Sequence, residues 1–97
     1  MIRSGKESIG YSNRPDYTLT SGTGKRVYDV YVAFKVPFSV TPEVTTAISS
    51  LDISNSHNAR VTCSANNITP YGFSIRIETW GDSIVYDVGV EWIAYVN

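Results

Sequence analysis

Between Lys25 and Val36 the chain alternates. Tyr28, Val30, Val32, Phe34 and Val36 fall on one side and Asp29, Tyr31, Ala33 and Lys35 on the other. Successive side chains of an extended chain point to opposite faces, so a period of two predicts a long, half-buried strand. The same logic predicts a flatter second run over Val44 to Ile53 and a third over Ala59 to Ile68, where Val61, Cys63 and Ala65 alternate with Thr62, Ser64 and Asn66. Thr69-Pro70-Tyr71-Gly72 then reads as a turn. It leads into Phe73, Ile75 and Ile77, whose neighbours Ser74, Arg76 and Glu78 point the other way, so the two strands predict a hairpin. Gly81-Asp82-Ser83 interrupts before a last strand, Ile84 to Val96, in which Val88, Val90, Trp92, Ala94 and Val96 share a face. A weaker strand is expected over Ile2 to Ile9. No stretch keeps apolar residues at helical spacing for three turns. Six short strands about ten residues apart therefore indicate an all-β chain folded as an antiparallel sandwich or small barrel.

Composition supports this reading. Seven Tyr, three Phe and two Trp stand among many Val, Ile and Thr, while Met occurs once and Gln is absent. With 97 residues, 42% of them hydrophobic, the chain is expected to form a single domain, residues 1–97, around one core. A net charge of -1 with scattered Lys and Arg argues against a nucleic-acid partner. No apolar run approaches the roughly 20 residues of a membrane span, and the start MIRSGKESIG has no apolar stretch of a secretion signal. Membrane insertion is accordingly not expected. Cys63 is the only cysteine, so it closes no internal disulfide and builds no thiolate metal site.

Groups able to do covalent chemistry are few. His57, in Asn55-Ser56-His57-Asn58, reads as a solvated turn residue, and Cys63 as a small buried hydrophobe. Asp82, Asp87 and Glu91 read as a solvated face or as partners of Arg76 and Lys35 rather than as a catalytic pair. Gly22-Thr23-Gly24-Lys25 resembles part of a phosphate loop but lacks the preceding glycine and the following helix, so it reads as a turn. Asn67-Ile68-Thr69 matches an N-glycosylation sequon followed directly by Pro70. No metal and no cofactor are implied. Trp80 differs from these: the alternation of Phe73, Ile75 and Ile77 points it away from the core, at a strand end where a flat aromatic face can cover the C–H patch of a sugar. The long Gly10 to Gly24 loop is the expected place for further binding groups. Counting outward from the Pro70-Tyr71 turn, Arg60 and Trp80 fall at the same distance and so at the same distal edge.

The order Phe34-x-x-Pro37-Phe38-x-x-Thr41-Pro42-x-Val44, Leu51-Asp52, Asn58-x-Arg60-Val61, Thr69-Pro70-x-Gly72-Phe73, Thr79-Trp80, Val85-Tyr86 and Trp92-Ile93-Ala94-Tyr95 resembles the H-type lectin domain, the family of snail agglutinins and of the C-terminal domain of slime-mould discoidins. The resemblance covers residues about 27 to 96. It implies a six-stranded antiparallel β-sandwich, a homotrimer, and galactose or N-acetylgalactosamine bound in clefts between protomers. By the same resemblance Arg60 falls on a sugar-contacting arginine, Trp80 on the stacking tryptophan, Tyr86 on an aromatic wall, and Gly81 where a snail agglutinin has a histidine. The family's loop aspartate has no clear counterpart: the stretch reads Ser21-Gly22-Thr23-Gly24, leaving Thr23 there and Asp16 as the nearest acid upstream. With no stapling cysteines, a trimer must be held by packing, for which Tyr31, Ala33, Ile93 and Tyr95 are the expected surface residues. The leading reading is a glycan-binding module, expected outside the cell or at a cell or virion surface. The alternative is a structural or trimerisation module of a larger adhesin or phage fibre, and an enzyme comes last.

Overall fold

The computed structural model describes residues 1–97. Six antiparallel strands form two three-stranded sheets: β1 (Ile2–Gly10), β2 (Arg26–Ala33), β3 (Glu43–Ile53), β4 (Thr62–Thr69), β5 (Gly72–Thr79) and β6 (Val85–Tyr95). One sheet has the order β1-β6-β3 and the other β2-β5-β4. The central strands carry the core, because only they are flanked on both sides: Phe73, Ile75 and Ile77 of β5 face Val85, Val88, Val90, Trp92 and Ala94 of β6, all buried. Phe34, Phe38, Phe73 and Trp92 pack as an aromatic cluster, with Phe34 and Phe38 edge to face at 5.0 Å between centroids. Of the sandwich and the small barrel that the pattern left open, this is the sandwich, with the six antiparallel strands that the resemblance implies.

Only β4 and β5 are joined as a hairpin within one sheet, around Pro70-Tyr71, with Thr69 opposite Gly72. Every other connection crosses between sheets. Three of these crossings, residues 11–25, 54–61 and 80–84, gather at one end of the sandwich, because β2 begins where β5 ends (Arg26 opposite Thr79) and β3 ends where β6 begins (Ile53 opposite Val85). That end holds most of the candidate binding residues.

Three local expectations are corrected. Strand β2 stops at Ala33, and Val36 is 57% exposed, because the chain turns away at Lys35 to Pro37, where Phe34 and Phe38 donate their N–H groups to Tyr71 and Pro70 carbonyls. Strand β4 begins at Thr62, so Arg60 sits just before it. Cys63 is half-buried, with its thiol 3.5 Å from the Thr46 hydroxyl across the gap between sheets.

Candidate functional site

Continuing the β4–β5 register outward from Thr62 opposite Glu78 sets Arg60 against Trp80. The structure agrees, since the Thr79 hydroxyl donates to the Arg60 carbonyl at 2.5 Å. Beyond that point the chain turns through Gly81, whose φ of 67° is the left-handed region that favours glycine. The turn folds Asp82 and Ser83 back over Arg60. Arg60 Nη1 donates to Asp82 Oδ1 at 3.0 Å and to Ser83 Oγ at 3.2 Å. The hydrogen bond from Arg60 holds the Asp82 carboxyl below the usual carboxylate range. Trp80 is 40% exposed, consistent with its predicted outward aim.

Arg60 and Asp82 form one wall of a wholly polar concavity whose other wall is Asn55, Ser56, His57 and Asn58 of the β3–β4 loop. The expected partners of the acidic residues are corrected here. Arg76 pairs in a bidentate fork with Asp29, Asp82 with Arg60, Glu91 with Lys6, and Asp87 accepts from Ser12. The Arg76–Asp29 and Glu91–Lys6 pairings follow from which strands share a sheet, and the other two from how the loops at the site end fold, neither of which alternation alone reveals.

The remaining candidates scatter. Tyr86 lines a different concavity, of about 490 Å³, with Tyr11, Thr20 and Asp52, and its ring meets Tyr11 edge to face at 5.9 Å. Asp16 accepts a hydrogen bond from the Tyr28 hydroxyl at 2.5 Å, which raises that phenol's pKa. Thr23 is exposed between Gly22 and Gly24, and the Gly24 N–H donates to the Gly81 carbonyl at 2.8 Å, so its turn abuts the Trp80–Asp82 turn. The middle of the Gly10–Gly24 loop is a plug rather than a free binding segment. Leu19 is fully buried, Tyr17 nearly so, and the Tyr17 hydroxyl donates to the Val85 carbonyl at 2.9 Å.

Two contributors were absent from the sequence reading. Arg26 donates to the carbonyls of Ser21, Gly24 and Gly81, binding the first loop to the Trp80 turn. Ser83, 1% exposed, accepts from Arg60 and donates to the Asn58 carbonyl at 2.5 Å. The run Gly-Asp-Ser after Trp80 was the available signal for the second, since a small hydroxyl in a turn is suited to bonding backbone.

Residues 29–95 match the family described as the H-type lectin domain. The chain is 42% identical over 76 residues to the ATP synthase subunits region ORF 7 protein of Fuscovulum blasticum, spanning 78% of this chain and 66% of that one. It is 33% identical over 94 residues to discoidin-2 of Dictyostelium discoideum, spanning 96% of this chain but 35% of the relative. A native structure of recombinant discoidin II from that organism superposes over 97% of this chain and 36% of its own, with a TM-score of 0.86 and 33% identity. The tailspike of Pseudomonas phage phi297 shares the fold, with a TM-score of 0.65 at 18% identity over 15% of its length.

Proposed function

Because this chain belongs to the H-type lectin domain family, we propose that it binds glycans of the galactose or N-acetylgalactosamine type at the end of the sandwich that carries Arg60 and Trp80. The observation that carries this reading is the Arg60 clamp. Asp82 and Ser83 both take Nη1, which fixes the guanidinium while Nε and Nη2 donate to no protein group. A fixed fork of donors on a residue whose register position is opposite an outward tryptophan suits a sugar, whose vicinal hydroxyls accept the fork while its apolar face lies on the ring. Gly81 belongs to this site by leaving room for the guanidinium, since a Cβ there comes within 2.7 Å of Arg60 Nη1.

Tyr86 stands in a separate concavity of the same chain, so in this reading it walls the sugar of a neighbouring copy, in a site completed between protomers of a homotrimer. In this reading Thr23 lies beside the Trp80 turn and contacts the sugar directly, whereas Asp16, bonded to Tyr28, only supports the loop. A shallow site of this kind binds one sugar at about millimolar strength, and three copies raise avidity by about 10²-fold where the glycans span them.

A glycan array followed by calorimetry tests the proposal. The wild type is expected to retain galactose-type glycans, and Arg60→Ala and Trp80→Ala to lose them while staying folded. Full binding by both variants removes the site assignment. No glycan bound on a broad array favours the structural-module reading, for which the pairing of Arg60 with Asp82 is then a surface ion pair and nothing more.

A further inference from the structure

We infer that the β3–β4 loop is a second sugar subsite, which takes a neutral residue linked to the sugar at Arg60 and Trp80; this rests on the reading just given. The concavity formed by Asn55, Ser56, His57, Asn58, Arg60 and Asp82 has a volume of about 300 Å³, at the lower end of small-molecule sites. None of its walls is apolar, so it offers no stacking surface and binds through hydrogen bonds. Its one cation and one anion pair at 3.0 Å, so the concavity carries no excess positive charge to attract a phosphate, a sulfate or an acidic sugar. What remains is a mixed set of donors and acceptors. The Asn58 side-chain amide and His57 Nε2 bond to nothing within the chain. Hydroxyls, which donate and accept at once, are the matching ligand chemistry.

The loop is also held in place before any ligand arrives. At its start the Ser54 N–H donates to the Ile84 carbonyl at 3.0 Å, and the Ser54 hydroxyl lies 3.1 Å from His57 Nδ1. Toward its end the buried Ser83 hydroxyl donates to the Asn58 carbonyl and accepts from Arg60. One buried hydroxyl therefore fixes the loop relative to the arginine. Two subsites locked to each other reward a ligand that fills both, because binding the second residue costs little further ordering.

The test is calorimetric titration of the chain with N-acetylgalactosamine and with a panel of disaccharides ending in it. The wild type is expected to bind its preferred disaccharide about tenfold more tightly than the monosaccharide, the increment one or two neutral hydrogen bonds provide. Asn58→Ala combined with His57→Ala is expected to reduce that preference to about twofold or less with monosaccharide affinity unchanged. Asn58→Ala alone, which leaves the Ser54–His57 contact in place, guards against a loosened loop and is expected to lose part of the preference. A wild type with no disaccharide preference, or variants that keep it in full, overturns the second subsite. Monosaccharide binding that survives Arg60→Ala overturns the primary site instead, and no sugar binding by the wild type removes both.

Discussion

Glycine is favoured at position 81 for two separate reasons. Its φ of 67° strains any branched or bulky side chain, and a Cβ placed there meets Arg60 Nη1 at 2.7 Å and Cζ at 3.0 Å. Gly81→Ala is thus expected to cost about 1–2 kcal/mol in urea unfolding, and to weaken glycan binding by displacing the guanidinium. Ser83→Ala removes a buried hydroxyl that both donates and accepts, leaving the Asn58 carbonyl unpaired. A loss of about 1–3 kcal/mol is expected, measured by the same unfolding curve. The pH dependence of the clamp follows from Asp82. Its carboxyl sits below the usual value of 3.8 in the fold, because Arg60 donates to its charged form. The contribution of that pair is fully present above the ordinary carboxylate range and is lost only as pH falls through the lowered folded value. Glycan affinity is therefore expected to be flat from about pH 5 to 8 as far as Asp82 is concerned, and a titration showing a step in that window that Asp82→Asn abolishes contradicts it.

Among the elements, the β4–β5 hairpin carries one irregularity. Between Asn66 opposite Ser74 and Thr69 opposite Gly72 the register shifts by one residue, and Asn67 takes a φ of 53° to absorb the extra residue. Asn67→Val is expected to destabilise by about 1–2 kcal/mol, because a β-branched residue resists that conformation, while Asn67→Gly is expected to be neutral or mildly stabilising. Thermal unfolding of the pair separates strain from lost side-chain bonding. The hairpin itself was legible in the sequence because its turn is chemically marked and both strands alternate. Strands β5 and β6 were legible for a related reason: one face of each is buried, so Phe73, Ile75 and Ile77, or Val88, Val90 and Trp92, must recur with period two. Val36 misled because alternation continues past Ala33 in composition while Pro37 ends the strand in space. Tyr17 and Leu19 were illegible as core, since a segment rich in Gly, Thr and Ser gives no period, and only the gathering of three crossings at one end creates a hole for them to fill. The Arg60–Trp80 juxtaposition could be counted from the turn, but the Asp82 and Ser83 bonds depend on how the Gly81 turn folds back, which no spacing encodes.

For the whole molecule, the numbers favour company. The radius of gyration is 14.1 Å with extents of 45 × 21 × 20 Å, against about 12.5 Å for a compact chain of this length, and 20 of 97 residues are buried. An elongated body with so thin a core leaves large outer faces, and the two differ. The outer face of the β2-β5-β4 sheet is crossed by the Arg76–Asp29 fork and the Lys25–Glu78 pair, so Tyr31 stands there among charges. On the β1-β6-β3 sheet, Ile93 is 47% and Ile2 73% exposed, Tyr95 is half-buried, and the residues opposite Ile93 are the small Ser4 and Thr45. Tyr31 and Ala33 therefore cannot share one patch with Ile93 and Tyr95; the second face also carries an ion pair, Lys6–Glu91, but the small residues on both sides of Ile93 leave it the flatter apolar surface, and it is the one expected to make a self-complementary contact. This sheet also carries Tyr86, near the start of its central strand, and Asp52, near the end of β3. Light scattering at micromolar concentration is expected to give three times the chain mass. Ile93→Arg is expected to give the monomer and to reduce binding to a glycan-coated surface by about 10²-fold while Tyr31→Arg changes neither, because avidity and the completed cleft are lost together only at the true interface. A monomeric wild type, or disruption by Tyr31→Arg in place of Ile93→Arg, assigns the outer faces differently and takes Tyr86 out of the sugar site.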